Sequence, residues 1–187
     1  MKARIAATDS GNDTVYEAVI EAASRQIDGY CGRRFYAATE TRYYTPDAGD
    51  LFDVDDLVSV TSLTADEDGD RTYERTWAST DYDLEPYNAA LEGKPYTQIR
   101  VTPRGNYSFV GARKGVKVAG SFGWPAVPDA VNEACLLLAA RLAKRPSAPF
   151  GIDPSGGDMG GAQRLPAMDP DVKQLLAAYR VYRVGAV

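Results

Sequence analysis

A chain of 187 residues, 44% hydrophobic and 25% charged, suits one globular domain or a compact core with one elaborated insertion. With no histidine at all, it cannot carry a Ser-His-Asp or Cys-His nucleophile, a histidine metal site or an imidazole base. The first ten residues have no apolar stretch of signal-peptide kind and no run approaches a membrane span, so the expectation is a chain made and used in the cytosol, or in something assembled there, without a membrane partner.

The net charge of −5 is unevenly spread. Residues 46–92 hold 14 Asp and Glu against Arg71 and Arg75, a net of −12, and the remainder carries +7. Residues 93–128 hold no acidic side chain but six basic ones: Lys94, Arg100, Arg104, Arg113, Lys114 and Lys117. Such polarity suits subunits that meet acidic face on basic face, or simply two solvated surfaces of opposite sign.

In chain order, a first helix is predicted over residues 12–31. Thr14-x-x-Glu17 has the form of a capping box, and Val15, Val19, Ala23, Ile27 and Tyr30 form one apolar stripe. Gly32 stands where a left-handed residue ends a helix, and Arg33 and Arg34 meet its negative end. The period then changes to two. Runs at 41–45, 57–63, 72–77, 82–84, 98–102 and 116–122 are rich in β-branched and aromatic residues, and predict an antiparallel sheet or small barrel of five or six strands. Pairs such as Val58/Val60, Tyr73/Trp77 and Val116/Val118 mark the buried faces.

Gly123-Trp124-Pro125 turns the chain into a second helix at 128–144, with Pro128 in a first turn where its missing N–H costs nothing. Val131, Cys135, Leu138 and Leu142 make its packing stripe. Leu136, Leu137, Ala139, Ala140 and Ala143 extend the apolar surface around most of the helix, so it must be covered on several sides, in part by another subunit. Residues 147–168 read as a linker with five glycines (Gly151, Gly156, Gly157, Gly160 and Gly161) and three prolines, expected to be mobile in an isolated subunit. A last helix starts at Asp169-Pro170, an N-cap with a first-turn proline, and carries Val172, Leu175, Leu176, Tyr179 and Tyr182 on one stripe, with Arg180 and Arg183 near its end.

The apparent site motifs are mostly structural. Asp66-Glu67-Asp68-Gly69-Asp70 fails as an EF-hand loop because its twelfth position would be Arg75, which is no bidentate carboxylate; a polar hairpin turn is the better reading. Residues 156–161 lack the Gly-Lys-Ser/Thr ending of a phosphate loop. The spacing of Cys31 and Cys135 permits a disulfide, but the cytosol favours two free, packed thiols. No metal, cofactor or catalytic residue is therefore predicted. The 104–115 loop is more informative: Tyr107 and Phe109 beside Arg113 and Lys114 suit protein docking, unless the aromatics fold back into the sheet. Overall acidity argues against nucleic acid as a specific partner.

The order of pieces resembles the tailed-phage head–tail connector (adaptor) family. The resemblance is carried by Ile27-Asp28-Gly29-Tyr30-Cys31-Gly32-Arg33-Arg34-Phe35, by Leu57-Val58-Ser59-Val60-Thr61-Ser62-Leu63, and by Asp81-Tyr82-Asp83-Leu84. Gly123-Trp124-Pro125 before the apolar helix and Asp169-Pro170-Asp171-Val172 before the last one complete it. It implies a dodecameric ring of identical subunits below the portal protein. Such a ring prolongs the double-stranded DNA channel without specific binding and offers a surface to the next neck or tail protein in the virion. No catalytic residue is implied.

The expectation is thus an α+β protein with a three-helix core and an antiparallel β domain inserted between helices one and two: residues 1–36, 37–123 and 124–187. Its candidate partner-binding residues are Tyr107, Phe109, Arg113 and Lys114 in the loop, and Tyr179, Arg180, Tyr182 and Arg183 at the end of the last helix. The alternatives are a tail-completion or other virion interaction module and, remotely, a carboxylate hydrolase.

Overall fold

The computed structural model describes residues 13–47, 49–103, 107–144 and 168–181. The predicted linker up to residue 167, Arg104, Tyr182 and Arg183 lie outside the described residues. The chain divides into two compact units, one of Met1–Arg33 with Pro128–Val187 and one of Arg34–Val127. The described residues form three α-helices and six strands, all antiparallel, so the protein is α+β.

The helical unit holds α1 (Asp13–Cys31), α2 (Asp129–Lys144) and α3 (Pro170–Leu176), followed by a 3-10 turn at Ala177–Tyr179. Helix α1 begins at Asp13, ahead of Thr14, so Thr14 sits inside the first turn and is not its cap; Asp13 instead meets the positive end. Of the predicted stripe only Ala23 and Ile27 are buried, joined by Cys31; Val19 and Tyr30 are half-buried and Val15 stays 55% exposed. The C-terminus closes as foreseen. Gly32 takes φ +66°, and the Arg33 N–H donates to the Asp28 carbonyl at 3.2 Å, which satisfies a helix-end acceptor. Val181 donates a further N–H to the Cys31 carbonyl at 2.9 Å.

Helix α2 packs against both α1 and α3. From Glu133 to Ala143 it has no fully exposed residue, which matches its nearly all-round apolar surface. Val131 and Leu138 are buried as expected, with Ala134 and Ala139 beside them; Cys135 and Leu142 are only half-buried, at the margins of that face. Helix α3 closes the unit through Val172 and Leu176. Asp169 holds the N-cap position, yet its carboxylate makes no cap bond and pairs with Arg141 of α2.

The β unit contains β1 (Ala38–Tyr44), β2 (Leu51–Ala65), β3 (Arg75–Trp77), β4 (Tyr82–Glu85), β5 (Tyr96–Val101) and β6 (Val116–Phe122), in the sheet order β1-β6-β2-β5-β4 with β3 paired to β2. The 15-residue β2 is the spine: it pairs with β6 along 57–65, with β5 along 51–57 and with β3 at its end. Its register shifts between Asp53 and Leu57, between Leu57 and Ser59, and between Val60 and Ser62. Across these irregularities Phe52 and Val54, then Leu57, Leu63 and Ala65 are all buried, although the first two are even-numbered and the others odd. The sequence expectation of a strand at 57–63 with Val58 and Val60 on one buried face is corrected: Val60 packs on the core while the fully buried leucines lie out of phase with it.

Two glycines seat these irregularities. A Cβ on Gly120 would lie 2.2 Å from the Ser59 carbonyl oxygen at a bulge, and one on Gly123 would lie 1.9 Å from that of Tyr36. Gly123, at φ +118°, donates its N–H to the Asp56 carbonyl at 2.7 Å. Trp124 follows, 5% exposed, with Nε1–H on Asp56 Oδ2 at 3.2 Å and its ring 5.5 Å from Phe35. Two of the short motifs that carried the family resemblance, Arg34-Phe35 and Gly123-Trp124-Pro125, therefore meet in space.

Candidate partner-binding surfaces

The acidic run after β2 is the tip of the β2–β3 hairpin. Asp66, 2% exposed, accepts the N–H of Gly69 at 2.7 Å and of Arg71 at 2.9 Å. Asp68 accepts from Asp70 N–H and Asp70 from Thr72 N–H, at 3.1 and 2.6 Å. The carboxylate oxygens of Asp66, Asp68, Asp70 and Glu74 lie within 4.8 Å of one another, but the first three build the turn out of backbone donors. Arg75 grips Glu67 and holds its carboxyl below the usual range.

This tip is tied to the loop before β6. Asp66 N–H donates to the Gly115 carbonyl at 2.9 Å, the Tyr73 hydroxyl to the Lys114 carbonyl at 2.9 Å, and Lys114 N–H to Thr45 Oγ1 at 2.9 Å. Lys117 sits over the Tyr73 ring at 4.6 Å and Tyr43 lies 5.8 Å from it. Arg113 and Lys114 are exposed at the turn, where a partner can reach them. Tyr107, 37% exposed, is held between the Trp77 ring at 5.5 Å and the Arg75 guanidinium at 4.5 Å.

Phe109 is different. It is 2% exposed, stacks on Trp77 at 4.7 Å and 12°, and meets Phe52 edge-on at 4.6 Å. Its backbone exchanges hydrogen bonds with Gly49 at 2.8 and 3.2 Å. Phe109 is a core residue and leaves the set of docking candidates, because an isolated two-residue bridge pulls this part of the loop back onto the sheet. Val110, 46% exposed, is the apolar side chain that the loop presents instead.

At the other predicted surface, Tyr179 and Arg180 are half-buried in the helical unit. Arg180 lies over the Tyr30 ring at 4.5 Å, so its first role is to hold the chain after α3 against the end of α1. Burial pushes the Cys31 thiol up to about 11, and both cysteines are free.

One constellation has no local sequence signal beyond a strand's alternation. Glu40 and Arg42, two apart on β1, share a face; Glu40 accepts from Arg34 at 2.6 Å and from Arg42 at 2.8 Å, while Arg42 reaches Asp55 at 2.7 Å and lies over Phe122 at 4.5 Å. The Tyr44 hydroxyl donates to Asp55 at 3.2 Å, and burial, with the Asp55 charge beside it, pushes that phenol up to about 12. The two guanidinium groups hold the Glu40 carboxyl down at about 2. Arg34 comes from the segment before β1 and Asp55 from β2, so the folded sheet brings them to one face. On the β5 side Arg100 joins Glu85 at 2.7 Å, which neutralises part of the acidic segment within the unit.

No protein-family model matches the sequence, and no curated protein matches it either. Solved structures do. The chain is similar to a chain in the neck of an empty gene transfer agent particle computed with sixfold symmetry, with TM-score 0.57 and 18% identity over 100% of this chain and 89% of that one. It is similar to a chain in the neck of the native particle computed with twelvefold symmetry, with TM-score 0.53 and 21% identity over 92% and 85%. A chain of the native gene transfer agent virion gives TM-score 0.52 and 18% identity over 96% and 83%. The likeness is one of fold, and two of the three structures are of particle necks, where the sequence resemblance also points. No helix among the described residues is long and apolar enough to cross a membrane.

Proposed function

We propose that this chain is a ring-forming head–tail connector that docks under a portal, extends the DNA channel and links capsid to neck or tail. The observation that carries the reading is a fold shared along 100% of the chain with a particle-neck component. Neck structures computed with sixfold and twelvefold symmetry support identical copies around an axis. The architecture we infer is a three-helix core with a β domain inserted between helices one and two. Its chemistry is burial and charge complementarity, with no catalytic step.

In this reading α2, which has no fully exposed residue from Glu133 to Ala143, is the packing centre of the core, and Tyr107, Val110, Arg113 and Lys114 offer a cationic, partly aromatic docking surface. DNA passes through without specific contacts. Mass measurement of the full chain, alone and mixed with portal protein, tests it: the expected result is a ring, formed alone or only with portal. A chain that stays monomeric and ignores portal sinks the connector role and leaves a tail-completion module.

A further inference from the structure

Among the described residues the strands with an open side are β1, β4 and the three-residue β3, and the two ends of the main strand order, β1 and β4, are built differently. Strand β4 has four residues, bears Asp83 and Glu85, and runs directly into Pro86, three devices that discourage pairing with another strand. Strand β1 has seven residues in unbroken register with β6, from Ala38↔Phe122 to Tyr44↔Val116. Among the described residues no backbone group of β1 bonds on the side away from β6. Its outward side chains Thr39, Thr41 and Tyr43 are uncharged and exposed, and its charges, Glu40 and Arg42, sit on the other face, 31% and 26% exposed.

Those charges would deter most incoming strands. One strand they match is β1 itself. In an antiparallel pair centred on Thr41, Glu40 faces Arg42 of the other copy and Arg42 faces its Glu40. On the opposite face Thr39 meets Tyr43, Tyr43 meets Thr39, and Thr41 meets Thr41. Opposite charges, aromatic with β-branched, and hydroxyl with hydroxyl are the favourable cross-strand pairs, and the twofold axis supplies the first two twice. A shift of the centre by one residue sets Glu40 opposite Glu40, or Arg42 opposite Arg42, at distances where like charges repel.

We propose that free copies of this chain pair through β1 about a twofold axis at Thr41, joining two sheets edge to edge. Such a pair turns the two chains in opposite directions, whereas neighbours in a ring around a channel all face the same way. The pair therefore belongs to the chain before assembly and covers the β1 edge until docking opens it. Only this timing rests on the connector reading; the pairing stands without it.

The test uses the full chain without portal. Thr41→Cys places the same exposed position of both copies face to face, and mild oxidation is expected to give a disulfide-linked dimer in high yield. Thr76→Cys, exposed on β3, is expected to give little, and the native thiols are buried or half-buried. Thr41→Lys sets two lysines opposite each other on a solvent face and should weaken the dimer roughly fivefold by sedimentation, with its unfolding midpoint unchanged. A free chain that sediments as a monomer or as a ring, equal crosslinking at positions 41 and 76, or full dimerisation of Thr41→Lys overturns the proposal. Monomeric behaviour would leave the edge to a strand from another protein.

Discussion

The two units of this chain are stabilised by different kinds of contact. The helical unit buries small and aliphatic side chains, Ala23, Ile27, Val131, Ala134, Leu138, Val172 and Leu176, along helix faces that recur every three or four residues. The β unit buries rings, Phe52, Trp77, Phe109 and Phe122, in a sheet whose spine shifts register three times and is seated on glycines. A repeating face tolerates small errors because neighbouring turns share the load. A bulge opposite a glycine has no neighbour to share it. The β unit should therefore be the more brittle of the two.

The sharpest way to break that contrast is Gly123→Ala. The new methyl would lie 1.9 Å from the Tyr36 carbonyl oxygen at φ +118°, so the backbone must move. The expected cost exceeds about 4 kcal/mol, with loss of the near-ultraviolet signal from Trp77 and Trp124 while helical signal persists. An intact tryptophan signal would show that the corner yields easily.

Next come paired core truncations. Phe109→Ala should cost about 3–5 kcal/mol and Leu138→Ala about 2–5 kcal/mol in urea unfolding, each felt first by probes in its own unit. Were Phe109→Ala to leave stability unchanged and reduce docking, the assignment of Phe109 to the core would be wrong.

The acid response tests the charged relay. Glu40 titrates at about 2 in the folded chain against an ordinary 4.5. Its folded value is depressed, so its stabilisation is complete above pH 4.5 and is lost as pH falls toward 2. Between those limits the unfolding midpoint should drop by the worth of one well-made ion pair, about 1 kcal/mol, which is about 2–4 °C for a chain of this length. Glu40→Gln should remove that part of the acid slope. A variant whose slope matches the parent's would show that other carboxylates carry it.

Smallest in stability is the double variant Arg113→Glu with Lys114→Glu, both exposed. It should shift unfolding by no more than about 0.5 kcal/mol and weaken portal binding in a salt-dependent manner. Unaltered binding would turn attention to Tyr179 and its neighbours. This pair is a cleaner probe than removal of residues 169–187, since α3 also covers α2 with Val172 and Leu176.

Much of the fold was legible locally. The Gly32 stop, the apolar α2, the Asp169-Pro170 start and the β6 run at 116–122 follow from periodicity and caps that act within a few residues. The hairpin at 66–70 was legible from its turn formers. Parts of the candidate site were legible as well: Arg113 and Lys114 stand exposed where their loop suggested, and Tyr107 is partly so. Phe109 was not, because a lone aromatic in a loop reads the same whether it faces solvent or a ring such as Trp77. The exposure of Val15 was hidden too, since a stripe says which face is apolar but not how far along the helix its cover extends.

The sequence by itself determined the order of helical and β segments, the absence of imidazole chemistry, and the uneven placing of charge, because these depend on residue type and spacing over a turn or two. Tertiary structure alone decided the phase of β2, the need for glycine at 120 and 123, the relay of Arg34, Glu40, Arg42 and Asp55, and which sheet edge is left open. Apart from the Glu40 pairs with Arg34 and Arg42, which are close in the chain, each of these rests on contacts between residues far apart in it, where the deciding quantity is an interatomic distance of a few ångströms that no local pattern encodes.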